Sequence, residues 1–293
     1  MDLMGNGRAI SAMLVANAAF IINDSLVKVV ADELPLGQII FLRGVMTALI
    51  MAVVCHFTGV FRNWRGLVHP LVLLRTFAEV GSTVLYLTAL MQMPIGNITS
   101  ILQALPLVVT AAAAIFLKAP VGWRRWTAIL VGFCGVVLIV RPGLEGFNAW
   151  SLLALAAVMF MALRDLATRQ MPATVPTFGV ALATSIGVAA LGGTMSLTEG
   201  WAALNVTSLA LLLGATGFVT VGYIFIILAM RSGDISVVAP FRYSSVLWAL
   251  GLGYFIWREV PDLMTVAGTI IVVLTGIYTF LRERRLSRLP AKA

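Results

Sequence analysis

Asp24, Arg75, Glu79, Arg164, Asp165 and Arg242 stand inside long apolar runs, and their types suit recognition of a solute better than bond-making. An arginine holds a carboxylate through its planar fork, an acidic side chain holds an ammonium group, and aromatic faces take up a flat apolar remainder. Arg75 and Glu79 are four residues apart, so one helix face carries both and they are able to pair. Asp24 and Lys28 share that spacing, but Lys28 lies near a helix end and can snorkel, which leaves Asp24 as a cation anchor or proton acceptor. Arg164 and Asp165 are adjacent and diverge by about 100° around a helix. One of them is expected to point inward while the other reaches a neighbouring helix.

Arg242 is bordered by Pro240, Phe241, Tyr243 and Trp248, which gives a cationic donor beside aromatic surface. Gln103 adds a neutral polar group near the middle of its run, and Tyr86, Tyr243 and Trp248 offer faces that can stack against a flat organic substrate. Pro106 and Pro240 each remove a backbone donor and open a helix locally, and matched interruptions point to a substrate site. The candidate substrate-binding residues are therefore Asp24, Arg75, Glu79, Tyr86, Gln103, Arg164, Arg242, Tyr243 and Trp248, with Pro106 and Pro240 as gating or helix-interrupting positions. For each of them, ordinary packing or an inter-helix lock is the competing account. Arg43, a few residues into its run, is expected to snorkel and serve structure.

No HExxH, GxSxG or Walker glycine loop occurs, and no His/Cys/Asp cluster has metal-ligand spacing. The expectation is no catalytic residue, no metal, no cofactor and no ATP hydrolysis by this chain, with energy drawn from a substrate or ion gradient. His56 and His69 flank a loop and read as interfacial. Cys55 and Cys134 lie in apolar runs, against a disulfide scaffold or a thiolate metal site.

The elements that position these groups follow from composition. Of 293 residues 60% are apolar and only 11% charged, with a mean hydropathy of +1.01. No aqueous fold of this size hides that much hydrocarbon. Runs near 20 residues match the ~30 Å bilayer core, where helices satisfy their own backbone. Ten spans are predicted: 9–30, 37–56, 71–91, 95–117, 126–140, 150–168, 175–195, 206–228, 235–257 and 263–281. The run 9–30 is read as a retained span, since no small-residue cleavage site follows it. The net charge of +8 is dispersed at span ends, which excludes a nucleic-acid surface and fits membrane orientation. Arg8, Arg62, Arg65, Lys118, Arg124, Arg125, Arg169, Arg231 and the tail from Arg282 to Lys292 fall on one side. The other side has Arg141 and Arg258 near span ends and Lys28 just inside the first span, alongside Asp32, Glu33, Glu145, Glu199, Glu259 and Asp262. Both termini are then cytoplasmic. Trp123, Trp126, Trp150, Trp201 and Trp257 lie at span ends as an interfacial belt.

Two halves, 1–143 and 144–293, show comparable order. Gly96-Asn97-Ile98-Thr99 opens the fourth span and Gly233-Asp234-Ile235-Ser236 the ninth, while Gly132 and Gly135 in the fifth span answer Gly268 and Gly276 in the tenth. Five spans per half is odd, so the second half enters the bilayer from the opposite side. The fold class expected is an all-α polytopic membrane protein of ten helices in two inverted five-helix repeats.

Phe41-Leu42-Arg43-Gly44, Tyr86-Leu87-Thr88-Ala89-Leu90, Leu105-Pro106-Leu107 and the Gly132/Gly135 run, in this order, resemble the drug/metabolite transporter superfamily in its branch of paired EamA-type repeats. The likeness covers residues 9–281 and is nearest in character to aromatic amino acid exporters of bacterial inner membranes. The chain departs where a glutamate commonly ends the fourth span, having Lys118-Ala119-Pro120, and where Tyr243 stands at the place matching Pro106. The resemblance implies a central cavity lined by the first, third, fourth, sixth, eighth and ninth spans, opened alternately to either side. It implies export of aromatic and other neutral amino acids. Transport of another small amphiphilic metabolite or drug in either direction is the alternative, and a non-transporting scaffold the alternative of a different class. The partners implied are a small-molecule substrate and the lipid bilayer, with no nucleic acid and no ATPase subunit, and the oligomeric state is left open.

Overall fold

A computed structural model describes residues 3–60, 69–118, 122–141, 148–172, 174–232 and 238–287. Arg62, Arg65, Ala119, Pro120, Glu145, the string Gly233 to Ser236 and the tail from Arg288 to Lys292 lie outside the described residues, as do the side chains of Arg231, Arg284 and Arg285.

The described chain is helical throughout. The elements are α1 Leu3–Val30, α2 Leu36–Phe57, α3 Pro70–Gln92, α4 Ile95–Leu102, α5 Leu105–Phe116, α6 Trp123–Val140, α7 Trp150–Arg169, α8 Thr177–Glu199 and α9 Val206–Ser232. A short 3-10 turn at Ala239–Tyr243 leads into α10 Ser244–Trp257, and α11 Leu263–Ser287 ends the series. Among the described residues nine helical segments are long and apolar enough to cross a bilayer, counting α4 and α5 as one. The 3-10 turn with α10 supplies the tenth run, so the all-α polytopic reading stands. Most span ends agree with expectation to within a few residues. The fifth begins at Trp123, three residues before the expected Trp126, while α1 begins six residues before its expected start and α11 ends six residues beyond its expected end.

Contacts divide the chain into two compact units, each drawing helices from both sequence halves. One comprises Met1–Ser25, Met93–Leu152 and Gly217–Ala293, the other Leu26–Gln92 and Leu153–Thr216.

In the second unit α2 and α8 cross where small residues remove side-chain bulk. A Cβ on Gly44 would meet the Ala189 backbone at 2.7 Å, and one on Gly192 would strike the backbone of Ile40 and Phe41. Pro35 supplies no side-chain cap to α2. The Glu199 carboxylate accepts the Gly37 N–H at 2.7 Å instead. Beside it, the buried Gln38 amide donates to the Ala202 carbonyl and accepts the Ala202 N–H, each at 2.9 Å.

The first unit repeats both devices. Gly135 of α6 and Gly268 of α11 face each other so closely that a Cβ on either would sit within 3.0 Å of the other's carbonyl. Pro94 leaves α4 without a side-chain cap of its own, and the Glu259 carboxylate accepts the Ile95 N–H at 2.9 Å. Arg141, in left-handed conformation at the end of α6, pairs with Asp262 just before α11. Large apolar residues such as Leu49, Leu130, Val206 and Leu247 are exposed. A water-soluble protein would not tolerate so many, whereas lipid is their natural neighbour. Trp123, Trp150 and Trp201 are exposed at helix ends, where a headgroup layer lies.

Candidate functional site

Each unit carries its own polar cluster at membrane depth. In the second unit Arg75, Glu79, Ser82 and Tyr86 recur at i, i+4, i+7 and i+11, which aligns them along one face of α3. The ion pairing differs from the sequence expectation. Glu79 does not pair with Arg75; its carboxylate accepts from Arg164 Nη1 of α7, 3.1 Å away at the nearer oxygen. Arg164 also donates through Nε to Asp165 Oδ1 at 2.9 Å. The adjacent residues therefore pair, because the long arginine side chain brings Nε to Asp165 while its Nη1 reaches Glu79 of α3.

Arg75 is held by neutral oxygens. Its Nε donates to Thr168 Oγ1 at 3.0 Å and its Nη1 to Thr184 Oγ1 at 2.6 Å. Both hydroxyls are themselves tied to carbonyls one turn back, Thr168 to Arg164 and Thr184 to Val180. The guanidinium is thus aimed by three helices and neutralised by none of the described carboxylates. Arg164 and Glu79 keep about a fifth of their side-chain surface open, at 21% and 18%, so the pair is accessible to a small solute or water.

The first unit holds both proline positions. A turn at Gln103 and Ala104 separates α4 from α5, and Pro106 lies in the first turn of α5. Pro240 lies in the 3-10 turn preceding α10. Gln103, 9% exposed, donates its amide to Ser245 Oγ, which in turn donates to the Arg242 carbonyl at 3.1 Å. Asn17 of α1 donates to the Phe241 carbonyl at 2.9 Å, the Arg242 carbonyl at 3.2 Å and Ser244 Oγ at 2.9 Å. These contacts answer carbonyls that 3-10 geometry leaves splayed from the helix axis. The Arg242 side chain is exposed and meets no described carboxylate, and Trp248 is 44% exposed one turn and a half further on. Tyr243 is half-buried, its hydroxyl seated in the notch that Gly276 leaves on α11. Asp24 is half-buried and accepts from Asn23 Nδ2 at 2.9 Å.

Sequence reasoning missed Asn17, Ser245, Thr168 and Thr184. Hydroxyls and amides are common in membrane helices as back-bonded residues, so nothing in composition marks them. Only the partnering arginines and the proline break, both legible, signal that polar neighbours are needed.

Intramembrane charged and hydroxyl groups in one unit, and helical segments starting at a proline in the other, are features that solute transporters use. Comparison with known proteins agrees. A pseudopaline exporter of Pseudomonas aeruginosa is 25% identical across 94% of this chain and 96% of its own length. An S-adenosylmethionine uptake transporter of Rickettsia conorii is 26% identical, covering 93% and 91%. A riboflavin transporter of Vibrio cholerae is 26% identical, covering 94% of each. None of these three is named for amino acids. One solved crystal structure superposes with a TM-score of 0.63 at 19% identity over 94% of this chain and 98% of that one, which bears on the fold alone. Residues 7–141 and 148–281 each match the EamA-like transporter family, so the chain is a multi-pass membrane transporter belonging to that family.

Proposed function

We propose that the protein exports aromatic and other neutral amino acids across a bacterial inner membrane by alternating access. In this reading the halves 1–143 and 144–293 are inverted repeats and both termini are cytoplasmic. The observation that carries the substrate class is the charge arrangement in the second unit. Arg75 and Arg164 supply two positive charges, Glu79 and Asp165 two negative ones, so the cluster is formally neutral. Yet both carboxylates engage Arg164 while Arg75 rests on hydroxyls. A zwitterion can lay its carboxylate on Arg75 and compete with Arg164 for Glu79 through its ammonium group, adding no net charge to the bilayer interior. The first unit, taken by itself, offers an alternative seat for that carboxylate at the exposed Arg242, with exposed Trp248 as a surface for a ring.

The relatives favour one further reading, transport of a larger heterocyclic metabolite in either direction, since their names include uptake of S-adenosylmethionine and transport of riboflavin. Flux of radiolabelled Phe, Trp, Thr and Met into proteoliposomes, with and without an imposed proton gradient, distinguishes the two. Saturable Phe flux competed by unlabelled Trp is expected. Absence of all four fluxes in a preparation that moves S-adenosylmethionine or riboflavin would overturn the amino acid reading.

A further inference from the structure

Three acceptors, two on the 3-10 turn and one on the first residue of α10, converge on one amide. Asn17 is 6% exposed, yet it sits in the apolar middle of α1, with Ala16 fully buried beside it and Met13 fully buried a turn earlier. Its Nδ2 reaches the Phe241 carbonyl at 2.9 Å, the Arg242 carbonyl at 3.2 Å and Ser244 Oγ at 2.9 Å. Two N–H hydrogens serving three acceptors make a forked contact that fixes both the turn's position and its rotation. Leucine would fill a similar volume with no donor, leaving the two carbonyls only their local partners and removing the tie to α1.

The residue enclosed by these contacts is Arg242. Its carbonyl accepts from Asn17 on one side and from Ser245 Oγ on the other, and Ser245 in turn takes the Gln103 amide. The backbone of Arg242 is therefore clamped from α1 and from the α4–α5 break, while its guanidinium stays exposed with no described carboxylate near it. A charge in that state within a bilayer needs water or a ligand. We propose that Asn17 is a positioning residue which pins the 3-10 turn so that the Arg242 guanidinium is presented to the anionic group of the transported solute. The inference rests on the reading above that Arg242 meets substrate.

Two measurements on the full-length protein test it. The first needs no substrate: hydrogen–deuterium exchange in lipid nanodiscs compares wild type with Asn17→Leu. Faster exchange at the Ser244, Ser245 and Val246 amides is expected, with the α6 amides unaltered, and equal exchange at 244–246 overturns the pin. The second is proteoliposome flux of radiolabelled phenylalanine. Asn17→Leu is expected to raise KM about tenfold, the equivalent of one charge-assisted hydrogen bond, with kcat within about twofold. In an Arg242→Gln background the same substitution should add little, whereas independent, multiplying losses overturn action through Arg242. If Asn17→Leu fails to accumulate in membranes, Asn17→Ser carries the same cycle. A wild type that moves no amino acid defeats the functional reading, while the exchange measurement still decides the pin.

Discussion

Arg75 and Arg164 are two intramembrane guanidiniums in one unit with opposite surroundings, and their substitution should separate recognition from stability. Arg75→Gln removes a cation that rests on Thr168 and Thr184 and compensates no described carboxylate. It is expected to raise substrate KM by about ten- to a hundredfold, the worth of a charged hydrogen bond of ~1.5–3 kcal/mol, with little change in melting temperature. Flux kinetics set beside a thermal melt in detergent check this. Arg164→Leu strands Glu79 and Asp165 together. Breaking a fully buried pair costs about 3–5 kcal/mol, and the partial exposure of these groups brings the expectation down to about 2 kcal/mol. Glu79→Gln should cost less, because Arg164 retains Asp165. A melt in which Glu79→Gln proves the more damaging variant would contradict this ordering. The spacing of Arg75 and Glu79 told which helix face they share. It could not tell that a cation from α7, 85 positions away, arrives nearer to Glu79 than its own neighbour does.

At the scale of elements, the glycines of the fifth and tenth spans were legible as close-approach sites, and Gly135 and Gly268 are found facing each other. Gly135→Leu forces α6 and α11 apart and should cost at least the ~1–3 kcal/mol of ordinary overpacking, read as a lower melting temperature or loss of membrane accumulation. The Arg141 and Asp262 pair beside them lies at the membrane surface and titrates. Partial burial pushes the Asp262 carboxyl up, but the Thr265 N–H and Arg141 outweigh it and hold the carboxyl below its ordinary value of 3.8. A depressed carboxylate contributes stability above its unfolded value and loses it as pH falls through the lower folded value. Stability attributable to Asp262 should therefore be flat from about pH 5 to 8 and decline only in strong acid. Melts of wild type and Asp262→Asn across that range should run parallel, offset by no more than about 1 kcal/mol for so exposed a pair. The proline breaks were expected from sequence, but the Asn17 contact that holds one of them was not. An asparagine in an apolar run has no periodicity to betray its partner.

Across the whole molecule, hydropathy was enough for the all-α polytopic class, because lipid imposes one rule on every span. The grouping into two units that interleave the sequence halves was not readable, since it depends on which helix ends meet. Those meetings have a bearing on biogenesis. The start of α2 is completed by Glu199, 162 positions later, and the start of α4 by Glu259, 164 positions later. A nascent chain leaving the ribosome thus inserts its early helices with open amide ends and must hold them until the last third of the polypeptide has been made. Residues 1–145 expressed alone should be degraded quickly, and co-expression of 146–293 should rescue them, as pulse-chase labelling would reveal.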